Sequence, residues 1–226
     1  MNAGPRVAMA ILKKDLILEF RGKEGFLSNL FFALVVLLLF TFGFDPSSEA
    51  LREGKAAVFW IAIAFASVLT LNRSSQRESA DSAIDALALL PVDPAWIFLG
   101  KCLGNLLVIL LVMLLIFPLF MVFFDLTVTG RFWLFPVICP LAALGLATVG
   151  TLFAVMAESS RLREVVLSIM MYPIVIPVLI AAVQLTHQAI KLNGDVENLR
   201  WLALLAVFDA MFLATALVVF DYVLGD

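Results

Sequence analysis

Almost the whole chain is built from long apolar runs parted by short polar intervals. Six runs stand out: Phe26–Phe44, Ala56–Leu71, Trp96–Phe124, Phe132–Ala157, Val165–Thr186 and Trp201–Val223. A helix rises about 1.5 Å per residue, so roughly 20 apolar residues cross the hydrocarbon core of a bilayer. The pattern predicts six transmembrane helices with short loops, forming one domain over residues 1–226. Asp45-Pro46-Ser47-Ser48 stops the first span, and Pro118 interrupts the third. Polar residues Glu158–Glu164 separate spans four and five, and His187–Arg200 precede span six.

The longest polar interval, residues 72–94, follows span two and has the clearest pattern. Ser75-x-x-Glu78 reads as a capping box, in which hydroxyl and carboxylate satisfy the free N–H groups of a helix start. Pro91 and Pro94 read as the stop. Ala80, Ala83, Ile84, Leu87 and Leu90 fall on one side at helical spacing, and Glu78, Asp81 and Asp85 on the other. The expectation is a separate surface helix from Ser75 to Leu90, roughly 16 residues and about 24 Å long. It either lies on the membrane or meets a partner protein. Cytoplasmic lipid is anionic and favours Lys and Arg. This face carries three carboxylates with only Arg77 at its margin, so the partner reading is preferred.

Ahead of span one, residues 1–25 carry Arg6, Lys13, Lys14, Arg21 and Lys23. Leu12, Leu16 and Phe20 lie on one side, but Val7, Ile11 and Leu18 lie opposite, so the predicted interfacial helix is not cleanly amphipathic. It makes a poor signal peptide, because the following apolar run is too long and no small-residue cleavage site follows.

Composition agrees with a multi-spanning membrane protein: 63% of the 226 residues are hydrophobic and mean hydropathy is +1.08. A net charge of −3 without a basic tract gives no sign of nucleic-acid binding. Cys102 and Cys139 sit inside apolar runs with no Cys-x-x-Cys, and read as small buried hydrophobes.

Few residues offer chemistry. Trp60, Trp96, Trp133 and Trp201 lie near the starts of spans, where indole rings suit the headgroup layer better than a cofactor site. His187, the only histidine, could contact haem, yet no second ligand stands near it in the sequence. Asp209 is the one carboxylate well inside a span. Intramembrane acids are costly and suggest function by default. The alternative is a neutral carboxyl hydrogen-bonded to a neighbouring helix, and both readings stand. Pro136/Pro140 and Pro173/Pro177 predict bends, with a possible re-entrant turn in span five. Gly145-Leu-Ala-Thr-Val-Gly150-Thr is the nearest approach to a phosphate loop, but it lacks the Lys and lies inside a span. The chain reads as a non-catalytic subunit with no metal or bound cofactor of its own, and any energy from ATP must come from another polypeptide.

Several short motifs together resemble one family. They are Lys14-Asp15-Leu-Ile-Leu-Glu19-Phe-Arg21-Gly-Lys23-Glu24, Leu71-Asn72-Arg73-Ser74, Ala86-Leu-Ala-Leu-Leu90-Pro91-Val92-Asp93, Gly100-Lys101 and the late Phe208-Asp209. In order and length they resemble the haem exporter protein B (CcmB) family, the permease subunit of the cytochrome c maturation ABC transporter. The resemblance implies an ABC-2-type exporter fold: six spans, an N-terminal interfacial helix, and a cytoplasmic coupling helix between spans two and three. Arg77, Glu78, Asp81 and Asp85 would then meet the ATPase. It further implies two permease copies, two copies of a separate ABC ATPase (CcmA-like), a haem-handling membrane protein (CcmC-like) and a small single-span protein (CcmD-like). Haem would be the exported species, or would leave on a released chaperone, at a bacterial inner membrane. Two alternatives stay open: an ABC-2 exporter for another amphipathic substrate, and a proton-coupled carrier using Asp209. The absence of inverted halves argues against the carrier.

Orientation follows from Lys and Arg in short loops. The N-terminal segment, Arg73, Arg77, Lys101, Arg161 and Arg163 put ten cations on one side, against five at Arg52, Lys55, Arg131, Lys191 and Arg200. Both termini are therefore expected in the cytoplasm. A Glu49→Cys variant should react with impermeant thiol reagents from outside, and Ser79→Cys only after the inner face is opened. The reverse pattern would refute the topology.

Overall fold

The computed structural model describes residues 3–45, 48–80, 92–126, 132–157, 163–190 and 198–225. Among these, every regular element is helical: α1 (Ala3–Arg21), α2 (Lys23–Gly43), α3 (Glu49–Ala80), α4 (Pro94–Phe123), α5 (Phe135–Met156), α6 (Arg163–Ile190) and α7 (Asn198–Gly225). A short 3-10 turn, Phe132–Leu134, leads into α5. α2 to α7 are each long and apolar enough to cross a membrane, as the six runs predict. In hydrocarbon a helix satisfies its own backbone, which makes it the stable form for such runs.

Local chemistry sets several ends. Asp93 accepts the Ala95 N–H at 2.9 Å with Pro94 in the first turn of α4, so Pro94 starts a helix as well as following a polar interval. At the other end of α4, Lys55 Nζ of α3 donates to the Phe124 carbonyl at 2.7 Å. A cation there offsets the negative end of the helix dipole. Asp125 turns the chain with φ of 46°, a left-handed conformation that Asp tolerates.

Three expectations need correction. No helix starts at Ser75: α3 runs unbroken to Ala80, and Ser75 is a buried mid-helix residue donating to the Ala154 carbonyl at 3.3 Å. Its hydroxyl serves contact with α5 instead of a cap. The C-terminal part of the predicted surface helix, with Asp81 and Asp85, lies outside the described residues. Neither Pro118 nor Pro173/Pro177 breaks its helix, and α6 makes no re-entrant turn. Neighbouring helices tolerate the lost backbone bond, while Pro136 sits in the first turn of α5, where no bond is lost. Trp60, finally, is no interfacial anchor: it is 1% exposed and donates Nε1–H to Thr186 Oγ1 at 2.9 Å. Trp133 is exposed, as the headgroup reading expects.

α5 is the axis of the bundle, touching α3, α4, α6 and α7. Every residue from 145 to 155 is buried. Small residues make that possible, because lipid supplies no hydrophobic drive between helices and close packing must hold them. Gly150 lies against the Leu71 side chain of α3. The Gly145–Gly150 spacing is thus a packing device. A second small-residue pair, Gly100 and Gly104 on α4, receives α1. A methyl group on Gly100 would stand 2.8 Å from the Ala8 carbonyl oxygen, and Trp96 covers Gly4.

The glycines give a prediction of opposite signs. Gly100→Ala forces backbone apart and should cost about 1–3 kcal/mol, the usual range for overpacking. Gly54→Ala meets nothing within 4 Å inside α3. It should gain roughly 0.5–1 kcal/mol, because a mid-helix Gly is that much worse than Ala. Equilibrium unfolding in detergent compares the two.

Candidate functional site

Polar side chains inside the spans meet one another across helices. Asn29 Nδ2 of α2 donates to Thr70 Oγ1 of α3 at 2.9 Å. Around α5 the contacts form a winding seam. Asp209 of α7 faces Gly145, Cys102 Sγ of α4 lies 3.5 Å from Thr148 Oγ1, Asn105 Nδ2 donates to Thr151 Oγ1 at 2.9 Å, and Ser75 of α3 reaches the Ala154 carbonyl. The α5 positions are three apart, so each step climbs about 4.5 Å and turns round the helix. The seam therefore links α7, α4 and α3 in turn, from mid-span to the end of α3.

Asp209 is 3% exposed and packs against protein. A methyl group on Gly145 would stand 2.8 Å from its Oδ1 and 3.0 Å from Val178 of α6, so α5, α6 and α7 enclose it. Neither carboxyl oxygen has a hydrogen-bond partner among the described residues. Among the described residues the bond to a neighbouring helix that a purely structural role would use is not formed, and a buried polar group left unpaired is costly. Such a position marks function by default.

The other predicted residues lie apart from it. Arg77 and Glu78 are in the last turn of α3, and Asp81 and Asp85 fall outside the described residues. His187 is half-buried near the end of α6. It follows Val178 by nine residues, about 13.5 Å of helix, so His187 and Asp209 do not share a site. No group of three His, Cys, Asp or Glu side chains that could hold a metal occurs among the described residues. The seam joins α3 and α4 to α5 by side-chain contacts. Sequence reading passed over Asn105, Thr148 and Thr151, whose only signal was a polar residue inside an apolar run.

A family model described as "CcmB protein" matches residues 6–222. Similar proteins include one from Rhodobacter capsulatus, called heme exporter protein B, which is 28% identical over 79% of this chain and 82% of its own. Proteins of the same name from Paracoccus denitrificans (28% identical, covering 76% of this chain and 78% of that one) and Pseudomonas aeruginosa (27%, 85% and 86%) also match.

Two substitutions separate the roles open to Asp209. Asp209→Leu puts bulk against Gly145 and should cost about 1–3 kcal/mol. Asp209→Asn keeps the shape and should stay within about 1 kcal/mol in detergent unfolding, since shape-conserving changes are tolerated best. If the acid itself is used, Asp209→Asn will fail to complement a deletion of the chain in cells while remaining folded. Full complementation by that variant would assign the residue to packing alone.

Proposed function

The chain belongs to the CcmB family, and from that premise we propose that it is the membrane permease subunit of an ABC transporter serving cytochrome c maturation. The family match over residues 6–222 carries the reading, and six membrane-length helices support it. The relatives' name supports haem as the species served, and in this reading it is exported directly or leaves on a released chaperone. ATP hydrolysis is assigned to a separate subunit, because the nearest phosphate-loop spacing, Gly145–Gly150, is taken up by helix packing. In this reading the assembly holds a second copy of the chain, a haem-handling membrane protein and a small single-span protein.

The proposed transmission runs through α3. Its 32 residues make a helix about 48 Å long, roughly 18 Å more than the hydrocarbon core. The surplus carries Arg77 and Glu78, and the chain continues to Asp81 and Asp85. An ATPase holding these residues would push on a transmembrane helix directly, with no intervening hinge before Ala80. Ser75 would pass the push to α5, and Trp60 to α6 through Thr186.

Glu78, Asp81 and Asp85 test the docking surface. One exposed ion pair is worth about 0–1 kcal/mol, so single substitutions should do little. Three reversals replace attraction by repulsion, and like charges at an interface can cost several kcal/mol. Glu78→Lys/Asp81→Lys/Asp85→Lys should insert normally yet fail to co-purify with the ATPase. Normal co-purification, with normal stimulation of ATP hydrolysis, would put the docking surface elsewhere.

A further inference from the structure

Asp209 lies nine residues from one end of its span, Arg200–Phe220, and eleven from the other. Those are about 13.5 Å and 16.5 Å of helix. The side chain is 3% exposed, with Oδ1 at Gly145 of α5, where Val178 of α6 also meets the bundle axis. Both oxygens lack a hydrogen-bond partner among the described residues. An ionised carboxyl with neither donor nor counter-charge is among the costliest groups to bury.

Few groups can neutralise it there. No Lys or Arg of the described residues bonds either oxygen. A metal ion needs several ligands at once, and the described residues hold no group of three His, Cys, Asp or Glu. Thr148, one turn along α5, has its hydroxyl 3.5 Å from Cys102 Sγ. A proton needs only the carboxyl itself.

We propose that Asp209 is a proton-binding site, and that the bound proton latches α7 against α5 and α6. When the proton passes to water, the remaining charge must reach water too, and α7 has to leave Gly145. The proton is a latch and not a cargo, because a relay needs a second titratable group close by. On α5, residues 145–155 include none, and Cys139 lies six residues before Gly145. On α6, Tyr172 and His187 are six and nine residues from Val178, about 9 Å and 13.5 Å along the helix. On α7, Arg200 and Asp221 are nine and twelve residues away. α4 brings the Cys102 thiol, close enough to feel a charge on Asp209 but held at Thr148, and Lys101 before it bonds neither carboxyl oxygen. The latch requires no transported species and no ATPase, so it stands or falls apart from the permease role.

The full chain, in a detergent without ester groups, is compared with Asp209→Asn by infrared difference spectroscopy at pH 6. A protonated carboxyl absorbs well apart from a carboxylate, and the difference should show one protonated carboxyl lost in the variant. Unfolding constants are then measured from pH 5 to pH 8. At pH 5 the two chains should unfold alike, and by pH 8 the constant of the unaltered chain should have risen at least tenfold more. The sign follows from the proton count: the folded chain holds one proton more than the unfolded chain, so raising the pH favours unfolding, by up to tenfold per unit. Absence of a protonated-carboxyl band from the unaltered chain at pH 6 overturns the proposal, as does a band that persists in the variant. A band that vanishes in the variant with no difference in pH response would show a proton that latches nothing, and would also overturn it. Should Asp209→Asn not fold, Asp209→Ser takes its place, and the spectrum of the unaltered chain can refute the proposal by itself.

Discussion

How closely its neighbours can approach α5 governs this bundle. Helices in lipid gain nothing from leaving water, so their association rests on van der Waals contact and a few hydrogen bonds. Both need short distances between backbones. Gly145 and Gly150 provide them, one toward α6 and α7 and the other toward α3. Thr148 and Thr151 then stand within bonding reach of Cys102 and Asn105, which longer spacing would leave unpaired in hydrocarbon. The polar seam is a consequence of the glycines.

The same close packing explains why α3 continues past the membrane as one helix. Leu71 is locked against Gly150, and Ser75, one turn further on, bonds to Ala154. Contact with α5 thus persists to within a turn and a half of Ala80. A free surface helix starting at Ser75 would have to abandon that bond, and gains only a cap in exchange.

Helical class and the six spans were legible in the sequence because run length against bilayer thickness is a strong constraint. The family was legible from short motifs whose order is informative together. Helix limits were harder. Ser75-x-x-Glu78 satisfies a capping pattern whether or not the chain is already helical, and only the tertiary contact with Ala154 decides. Trp60 misled for a similar reason: distance from the start of an apolar run measured depth wrongly, because α3 begins at Glu49, ahead of that run. The depth of Asp209 was readable, but its lack of a partner among the described residues was not, since that depends on what α5 and α6 bring to it.

The strength of the seam bears on whether such a bundle can switch. Hydrogen bonds between membrane helices average about 0.6 kcal/mol each, far below what isolated pairs in hydrocarbon would suggest. The three that link α3 and α4 to α5 then sum to roughly 2 kcal/mol, enough for a ratio of about 30 to 1 between closed and open arrangements. One state is well defined at rest. A partner that grips the end of α3 needs only a differential affinity of comparable size to invert the populations. Stronger polar pairing would fix the bundle, and none at all would leave several packings nearly equal in energy. Weak bonds on closely packed small residues suit the permease role proposed above, in which helices move when another protein hydrolyses ATP.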